Sequence, residues 1–295
     1  MDAYLAAIAI VALIYILLAL GLTLQYGLTG LINFGHVGFF AIGAYAAAIL
    51  ATHGAPLILG FAAAAFFAGL AAWPIGLVSL RLRDDYFAIV TLGFSETVRL
   101  VITSEKWLTN GVQGIPAIPR LFSGLTVGIG AQLAVLAVLL AVTGAAVLAM
   151  RRIVRSPFGR IIEAIRDNED GLRALGKEPA RFKVQVLILG AGLAGLAGAF
   201  YAHYITYIVP DQFIPLVTFY VWMAIIIGGV GRISGAVVGT ALLMILLEGS
   251  RFIRDVVPGI SEVEMASIRL GVIGILLVLF TIYHPQGLMG DFSRK

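Results

Sequence analysis

The sequence predicts an all-α protein that crosses a membrane about nine times. Apolar residues make up 60% of the chain and charged residues only 12%, whereas a soluble domain carries about 25% charged residues. The mean hydropathy is +1.01, so the chain lacks the polar surface that a soluble globule needs. The apolar residues also fall into separate runs, many of which approach the roughly 20 residues that a helix needs to cross a hydrocarbon core. We therefore predict a single membrane domain over residues 1–295.

Nine apolar runs are predicted spans, within a range of eight to ten. The first run has no basic segment before it and is about twice as long as the core of a signal peptide, so we interpret it as a retained span. In chain order, the predicted spans cover residues 4–24, 37–52, 56–80, 86–103, 126–150, 184–204, 213–230, 234–252 and 268–283.

The basic residues between the spans predict the orientation, because cytoplasmic loops of membrane proteins are enriched in Lys and Arg. With residues 151–183 inside, fourteen of the twenty basic residues lie inside, five lie outside and Arg99 falls within a span. The N-terminus is then outside and the C-terminus is cytoplasmic. This distribution also explains the positive net charge, so the basic residues do not indicate a nucleic-acid partner.

Three of the predicted spans are rich in glycine and alanine, namely those at 37–52, 184–204 and 234–252. Small residues let helix backbones approach closely where no hydrophobic force drives association. Ordinary packing of helices within one subunit is the simpler interpretation of these residues.

The longest hydrophilic segment, residues 151–183, is predicted to contain two short helices. Ser156 and Pro157 form a helix-start signal, and Asn168 can cap a second, very short helix with acids in its first turn. Gly176 is predicted to end this helix in a left-handed conformation. The segment is either a compact element that contacts another protein or a charged loop that only sets topology.

Motifs throughout the chain resemble those of one transporter family. The segment SPFGRIIEAIRDNEDGLRALGKEPARFKVQVLILGAGLAGLAGAF closely resembles the cytoplasmic segment of ABC-importer permeases for branched-chain amino acids. GLTGLINFGHVGFFAIGAYAAA, LRLRDDYFAIVTLGFSETVR and LTNGVQGIP match the same family upstream, and IIIGGVGRISGAVVGTALL and HPQGLMG match downstream. The resemblance covers residues 27–290 and is to the smaller, M-type permease.

The resemblance implies an inner-membrane importer with several subunits. Its expected partners are a second homologous permease, two cytoplasmic ATP-binding subunits, a periplasmic amino-acid-binding protein and the lipid bilayer. The short helix after Asn168 would dock in a groove on an ATP-binding subunit. The resemblance implies this coupling role for Arg166, Asp167, Asn168, Glu169, Asp170, Leu172, Leu175 and Gly176. The segment departs from the glycine-containing EAA pattern of many other ABC permeases.

Four residues within or beside the spans are candidates for the translocation pathway. Glu96 and Arg99 are costly in a membrane, and such residues are often functional. At their spacing they can also form a structural pair near the membrane edge. Asn33 and His36 lie at a glycine-rich break, which is tolerated only where protein or a water-filled cavity satisfies the backbone. A polar packing role for His36 is an equal alternative.

The sequence favours a transporter over an enzyme. It has no GxxxxGK[ST] phosphate loop, so ATP would be hydrolysed by partner subunits. It shows no HExxH, carboxylate cluster or Ser/His/Asp arrangement, and it has no cysteine, so we predict no catalytic residues, metal or cofactor. The rival hypothesis is a secondary transporter coupled to H⁺ or Na⁺ through Glu96.

Overall fold

The computed structural model describes residues 2–79, 82, 84–122, 129–256, 262–283 and 286–289, and this part of the chain is helical. Its α-helices are α1 Asp2–Leu22, α2 His36–Thr52, α3 Leu57–Ser79, α4 Asp84–Ser104, α5 Lys106–Thr109, α6 Ile129–Arg155, α7 Pro157–Ala174, α8 Pro179–Ile205, α9 Pro215–Gly228, α10 Ile233–Val256 and α11 Glu262–Tyr283. No strand forms within these ranges, where a single antiparallel bridge joins Ile115 and Ile208.

Six helical stretches are long and apolar enough to cross a membrane. They are Tyr4–Gly27, Leu57–Val78, Asp85–Ser104, Ile129–Arg155, Pro179–Ile205 and Pro210–Gly228. His36–Thr52 and Ile233–Glu248 are apolar but shorter. The protein is therefore a polytopic α-helical membrane protein, as predicted. Each predicted span overlaps a helix, but nine crossings and their orientation remain predictions.

Helix α8 lies at the centre of the bundle and packs against α1, α2 and α3. A Cβ atom on Gly43 of α2 would overlap the backbone of Gly195 in α8, and one on Gly198 would overlap the carbonyl oxygen of Phe40. These glycines therefore bring helix backbones of the same subunit together. The simpler interpretation of the small residues holds for this pair of helices.

Several helices extend beyond the apolar runs. α8 begins at Pro179, five residues before the predicted span, and α6 continues to Arg155, five residues beyond it. Apolar composition marks the edge of the hydrocarbon, whereas a helix ends only where its backbone hydrogen bonds stop, and Pro179 has the fixed φ that suits a first helical position. Four basic residues used to predict the orientation, at positions 81, 83, 294 and 295, lie outside the described residues.

Candidate functional site

The first span breaks before α2 begins. A π-helical turn, Thr23–Gly27, extends α1, and residues 28–35 follow without regular helix. Asn33 and His36 are fully buried here, as are Thr23 and Gln25. Because a buried backbone without helical hydrogen bonds needs other partners, these polar side chains decide whether the break is stable.

Asn33 lies at the centre of a hydrogen-bond network that closes this break. Its Nδ2 donates to Gln25 Oε1 at 2.8 Å, and its Oδ1 accepts from the backbone N–H of Gly35 at 2.9 Å. Trp222 Nε1 of α9 donates to the Asn33 carbonyl oxygen at 3.0 Å. Gln25 Nε2 donates in turn to the Leu187 carbonyl oxygen of α8 at 3.2 Å. The network thus joins the broken span to α8 and α9.

Two threonines from other helices complete the first turn of α2. Thr91 Oγ1 of α4 accepts from the backbone N–H of Phe34 at 3.1 Å, and Thr218 Oγ1 of α9 accepts from that of Val37 at 2.9 Å. Both threonines are buried. They satisfy donors at the helix start that have no partner within the helix, so three neighbouring helices hold the break in place.

His36 is enclosed by the α1 backbone. Its Nε2 lies 3.0 Å from the Leu18 carbonyl oxygen, and because a carbonyl only accepts, this nitrogen carries the proton. Among the described residues no hydrogen-bond partner reaches Nδ1. A Cβ atom on Gly21 would overlap the Gly190 carbonyl oxygen of α8 and would also lie 3.0 Å from Nε2, so α1 needs glycine there. This enclosure favours the polar packing interpretation of His36.

Helix α7 is interrupted at Asn168, as the sequence predicted. Asn168 has extended backbone angles (φ −160°, ψ 92°) inside an otherwise helical segment. Its Oδ1 accepts from the Gly171 backbone N–H at 2.8 Å, which caps the short helix that follows. Gly176 ends that helix with φ +75°, a left-handed conformation that glycine adopts without strain. The first half begins at Ser156, whose Oγ accepts from the Gly159 N–H at 3.3 Å.

Arg166 joins α7 to the break after α1. Its Nη1 donates to the Gly27 carbonyl oxygen at 2.8 Å, while Nε and Nη2 each lie 3.1 Å from Asp167 Oδ1. Cβ atoms on Gly30 and Gly231 would lie 3.4 and 3.0 Å from the Arg166 side chain. Arg166 therefore lies over two chain breaks at once, one between α1 and α2 and one between α9 and α10.

A second contact anchors the short helix to α8. Glu169 Oε2 accepts from Lys183 Nζ at 2.7 Å, and Glu169 Oε1 accepts from Arg173 Nη2 at 2.8 Å. The Lys183 side chain is only 10% exposed and that of Glu169 29% exposed, so this ion pair is shielded from water. Glu169 therefore has a structural role in addition to its favourable place in the first helical turn.

Only some side chains of the short helix are exposed. Leu172 is buried with 8% exposure, whereas Leu175 is 79% exposed. The Asp170 side chain is 92% exposed and lies 3.3 Å from Arg173. Leu175 and Asp170 therefore lie on the exposed surface of the short helix, while Leu172 packs within the subunit.

Glu96 and Arg99 meet as the sequence spacing predicts. Arg99 donates from Nε at 3.0 Å and from Nη2 at 2.8 Å to the same Glu96 oxygen. Arg99 Nη1 also lies 3.7 Å from Asp211, which precedes α9. The Arg99 and Glu96 side chains are 26% and 33% exposed, so the pair lies at the surface of the subunit and not among the buried groups around Asn33.

The structure adds residues that the sequence did not single out. Four of them hold the break between α1 and α2 in place: Gln25, Thr91, Thr218 and Trp222. The fifth, Lys183, anchors the short helix to α8. Gln25 lies in the polar stretch QYGLTGLINFGH, so its polarity inside an apolar sequence was an available signal. The threonines gave none, because threonine is common in membrane helices and bonds its own backbone there.

A polytopic helical bundle with a buried, hydrogen-bonded break and a helical segment docked on that break is typical of a membrane transport protein. Among the described residues no group of side chains could hold a metal ion. A family model described as "Branched-chain amino acid transport system / permease component" matches residues 4–281. The chain belongs to this family, whose members are membrane permease subunits and not the ATP-hydrolysing components, and it is a multi-pass protein of the inner membrane.

Curated relatives agree with this assignment. The chain is 34% identical to the high-affinity branched-chain amino acid transport system permease protein LivM of Escherichia coli, over 96% of this chain and 69% of the relative. It is 28% identical to the probable LivM of Methanocaldococcus jannaschii, over 79% of this chain and 66% of that protein. It is also 26% identical to LivH of Salmonella typhimurium, over 94% and 91% of the two chains. No solved structure matches the chain.

Proposed function

We propose that this chain is one of two membrane-spanning subunits of an importer that carries branched-chain or related small amino acids and is driven by ATP hydrolysis in partner subunits. Relatives named LivM and LivH are both permease proteins of a high-affinity branched-chain amino acid transport system, which supports pairing with a second homologous permease. The resemblance in sequence supports two ATP-binding subunits and a periplasmic amino-acid-binding protein. A relative named as an autoinducer 2 import permease, 31% identical over 64% of this chain, indicates that the family carries more than one substrate class.

The single observation that carries the mechanism is the contact of Arg166 with Gly27. The exposed side chains of the short helix provide the surface for an ATP-binding subunit, and Glu169 holds that helix to α8 through Lys183. Arg166 is two residues before the cap and bonds the end of the π-helical turn at 2.8 Å. A movement of the short helix would therefore pass through Arg166 to the π-helical turn Thr23–Gly27. Gln25 of the same turn belongs to the Asn33 network, which contacts α8 and α9. Alternating access requires an element with two arrangements, and in our proposal the docked short helix is that element.

The rival, an ion-coupled transporter with Glu96 as the coupling carboxylate, gains no support from the geometry. Both hydrogen bonds that Arg99 makes to Glu96 end on one carboxylate oxygen. The Glu96 carboxylate already has a charged partner within the subunit, and both side chains are partly exposed. We therefore assign the pair a structural role beside the pathway.

The proposal includes nine spans with the N-terminus outside and residues 151–183 in the cytoplasm. The distribution of basic residues supports it. Because the chain has no cysteine, Trp107→Cys and Lys177→Cys are clean probes at two exposed positions. A membrane-impermeant maleimide added outside intact spheroplasts should label the first and not the second. The reverse pattern would overturn the orientation.

The coupling mechanism is tested with variants that separate partner contact from transmission. Leu175→Asp with Asp170→Lys changes the exposed surface, so we expect normal yield of the permease but loss of the ATP-binding subunits on purification and loss of uptake. Arg166→Gln removes the bond to Gly27, so we expect the ATP-binding subunits to stay bound and hydrolyse ATP while uptake falls at least about tenfold, since a hydrogen bond from a charged group contributes about 1.5–3 kcal/mol.

Two matched controls accompany these variants. Glu178→Lys makes a similar charge change at an exposed position just outside the short helix and should leave binding and uptake intact. Glu169→Gln should instead lower the thermal stability of the permease, because Lys183 loses its carboxylate. Wild-type uptake and subunit binding in both the Leu175/Asp170 and the Arg166 variants would show that the segment only sets topology.

A further inference from the structure

Three arginines at the end of α6 form a cationic cluster that the proposed transport mechanism does not use. Arg151, Arg152 and Arg155 are exposed, and no acidic side chain of the described residues lies within ion-pair distance of them. By contrast, four other basic residues of the same segment have acidic partners, namely Arg166, Arg173, Arg181 and Lys183. The cluster is therefore available to an anion from outside the chain.

The arginines stand where a membrane-spanning helix leaves the hydrocarbon. The apolar part of α6 ends at Met150, directly before Arg151. Together with Ala145, Leu148 and Ala149, the three arginines line an open pocket with a volume of about 490 Å³. Arginine side chains at such a level extend towards the interface and bury their aliphatic stems along the helix, which places their guanidinium groups at the depth of lipid phosphates.

An apolar crevice adjoins this cluster. It has a volume of about 350 Å³, lies between α1, α6 and α10, and is lined by Leu13, Ile16, Leu140, Val147 and Val237 among others. Arg151 lines this crevice as well as the cationic surface. Gly144, on the same wall, has no atom of the described residues within 4 Å of the position of a Cβ atom, so the crevice is open at this point.

We propose that Arg151, Arg152, Arg155 and the crevice between α1, α6 and α10 form a binding site for one anionic phospholipid. The guanidinium groups bind the phosphodiester and headgroup, because arginine recognises phosphate oxygens with paired hydrogen bonds. An acyl chain fills the crevice. Arg151 belongs to both the cationic surface and the crevice. The two parts of the site therefore adjoin, which is necessary because the headgroup and the acyl chain of a lipid are covalently joined.

Charge complementarity selects this occupant over a second protein chain. A protein helix in the crevice would have to supply acidic side chains at the membrane edge to match three arginines, whereas anionic lipids supply that charge in the bilayer itself. Arginines that act only to set orientation need no adjoining crevice. The crevice therefore separates a lipid site from the general enrichment of basic residues in cytoplasmic loops.

The site is tested on the full-length permease purified in mild detergent, with dioleoyl phosphatidylglycerol as the probe and native mass spectrometry as the measurement. We expect one phosphatidylglycerol bound to the wild type, and dioleoyl phosphatidylcholine bound much more weakly. A triple variant should bind phosphatidylglycerol about a hundredfold more weakly, since each basic residue near an anionic lipid contributes about 1 kcal/mol. Its substitutions are Arg151→Gln, Arg152→Gln and Arg155→Gln. Arg160→Gln with Lys177→Gln and Arg181→Gln removes the same number of charges from the same segment and should bind like the wild type.

A variant that keeps every charge covers the case in which the triple substitution does not fold. The leucine side chain in Gly144→Leu should occupy the crevice at its open side. Binding of phosphatidylglycerol should then be about tenfold weaker, since the displaced acyl chain loses the burial of several CH₂ groups. Unchanged binding in Gly144→Leu or in the triple variant would overturn the site. Competition by inorganic phosphate at concentrations equal to the lipid would show a free-anion site instead. Loss of the second permease from Gly144→Leu, with lipid binding unaltered, would show that the crevice is a subunit interface.

Discussion

The inner and outer helices of this bundle differ in how much of each is covered. In the apolar stretches of α1 and α8, 61% of the residues are buried, against 28% in α3, α4 and α6. All five are long and apolar enough to cross a membrane, so hydropathy alone does not distinguish them. The buried fraction distinguishes them, because it shows which helix surfaces this chain covers by itself and which it leaves for lipid or another subunit.

Glycines show the same contrast. Gly43 and Gly198 lie where a neighbouring backbone leaves no room for a Cβ atom, whereas Gly93, Gly144 and Gly271 have no atom of the described residues within 4 Å of that position. Inner glycines let helices of one subunit touch. The outer ones leave smooth surfaces, which in a membrane are suited to a lipid chain or a helix of another subunit.

The largest expected effect comes from filling an inner glycine. Gly43→Leu would force α2 away from α8. Overpacking typically costs about 1–3 kcal/mol, and this site should lie at the upper end because backbone atoms must move. We expect the yield of monodisperse protein to fall severely, as measured by size-exclusion chromatography of a fluorescent fusion. Thermal unfolding of any recovered protein should occur at a clearly lower temperature.

The matched substitution on an outer helix sharpens this comparison. Gly93→Ala and Gly271→Ala should change the stability of the isolated permease by less than about 1 kcal/mol, because the added methyl group has room and alanine is the better helix former. Equal losses from Gly43→Ala and Gly93→Ala would contradict the distinction between the two classes of glycine. A loss that appears for Gly93→Ala only in the presence of the second permease would place α4 at their interface.

Sequence reasoning located the helices and one cap because those features are local. The cap at Asn168 followed from residue types within a few positions, and the terminator at Gly176 from glycine's freedom at positive φ. The partners of Asn33 could not be located in the same way. Trp222 is 189 residues away from Asn33 and Leu187 is 162 residues away from Gln25, so these contacts depend on how helices meet in space.

The same limit explains how the surface of the short helix differs from the expectation. Leu172 and Leu175 are equivalent in sequence, since both are apolar residues on a short helix. Only the docking of that helix against the bundle makes Leu172 buried and Leu175 exposed. Glu169 likewise has no local signal that it reaches Lys183, fourteen residues further on. Contact between the coupling residues and an ATP-binding subunit stays a prediction.

The smallest expected effect is at the ion pair on outer helix α4, which tests whether an outer polar group is structural. Glu96→Gln removes the carboxylate beside Arg99, but both side chains are partly exposed and Asp211 lies 3.7 Å from Arg99. A partly exposed pair contributes about 1 kcal/mol or less to the free energy of unfolding. The variant should therefore have a slightly lower unfolding temperature and retain uptake. Adding Arg99→Gln should recover part of the loss, and Asp211→Asn alone should cost less than Glu96→Gln because its contact is longer and its side chain is 82% exposed.

The measurement is a double-mutant cycle on the thermal stability of the purified permease, with uptake recorded at several pH values. Strictly additive losses would show that the two residues are not a pair in the membrane, and an intact Glu96→Gln protein whose uptake no longer depends on pH would instead identify Glu96 as a proton-coupling group.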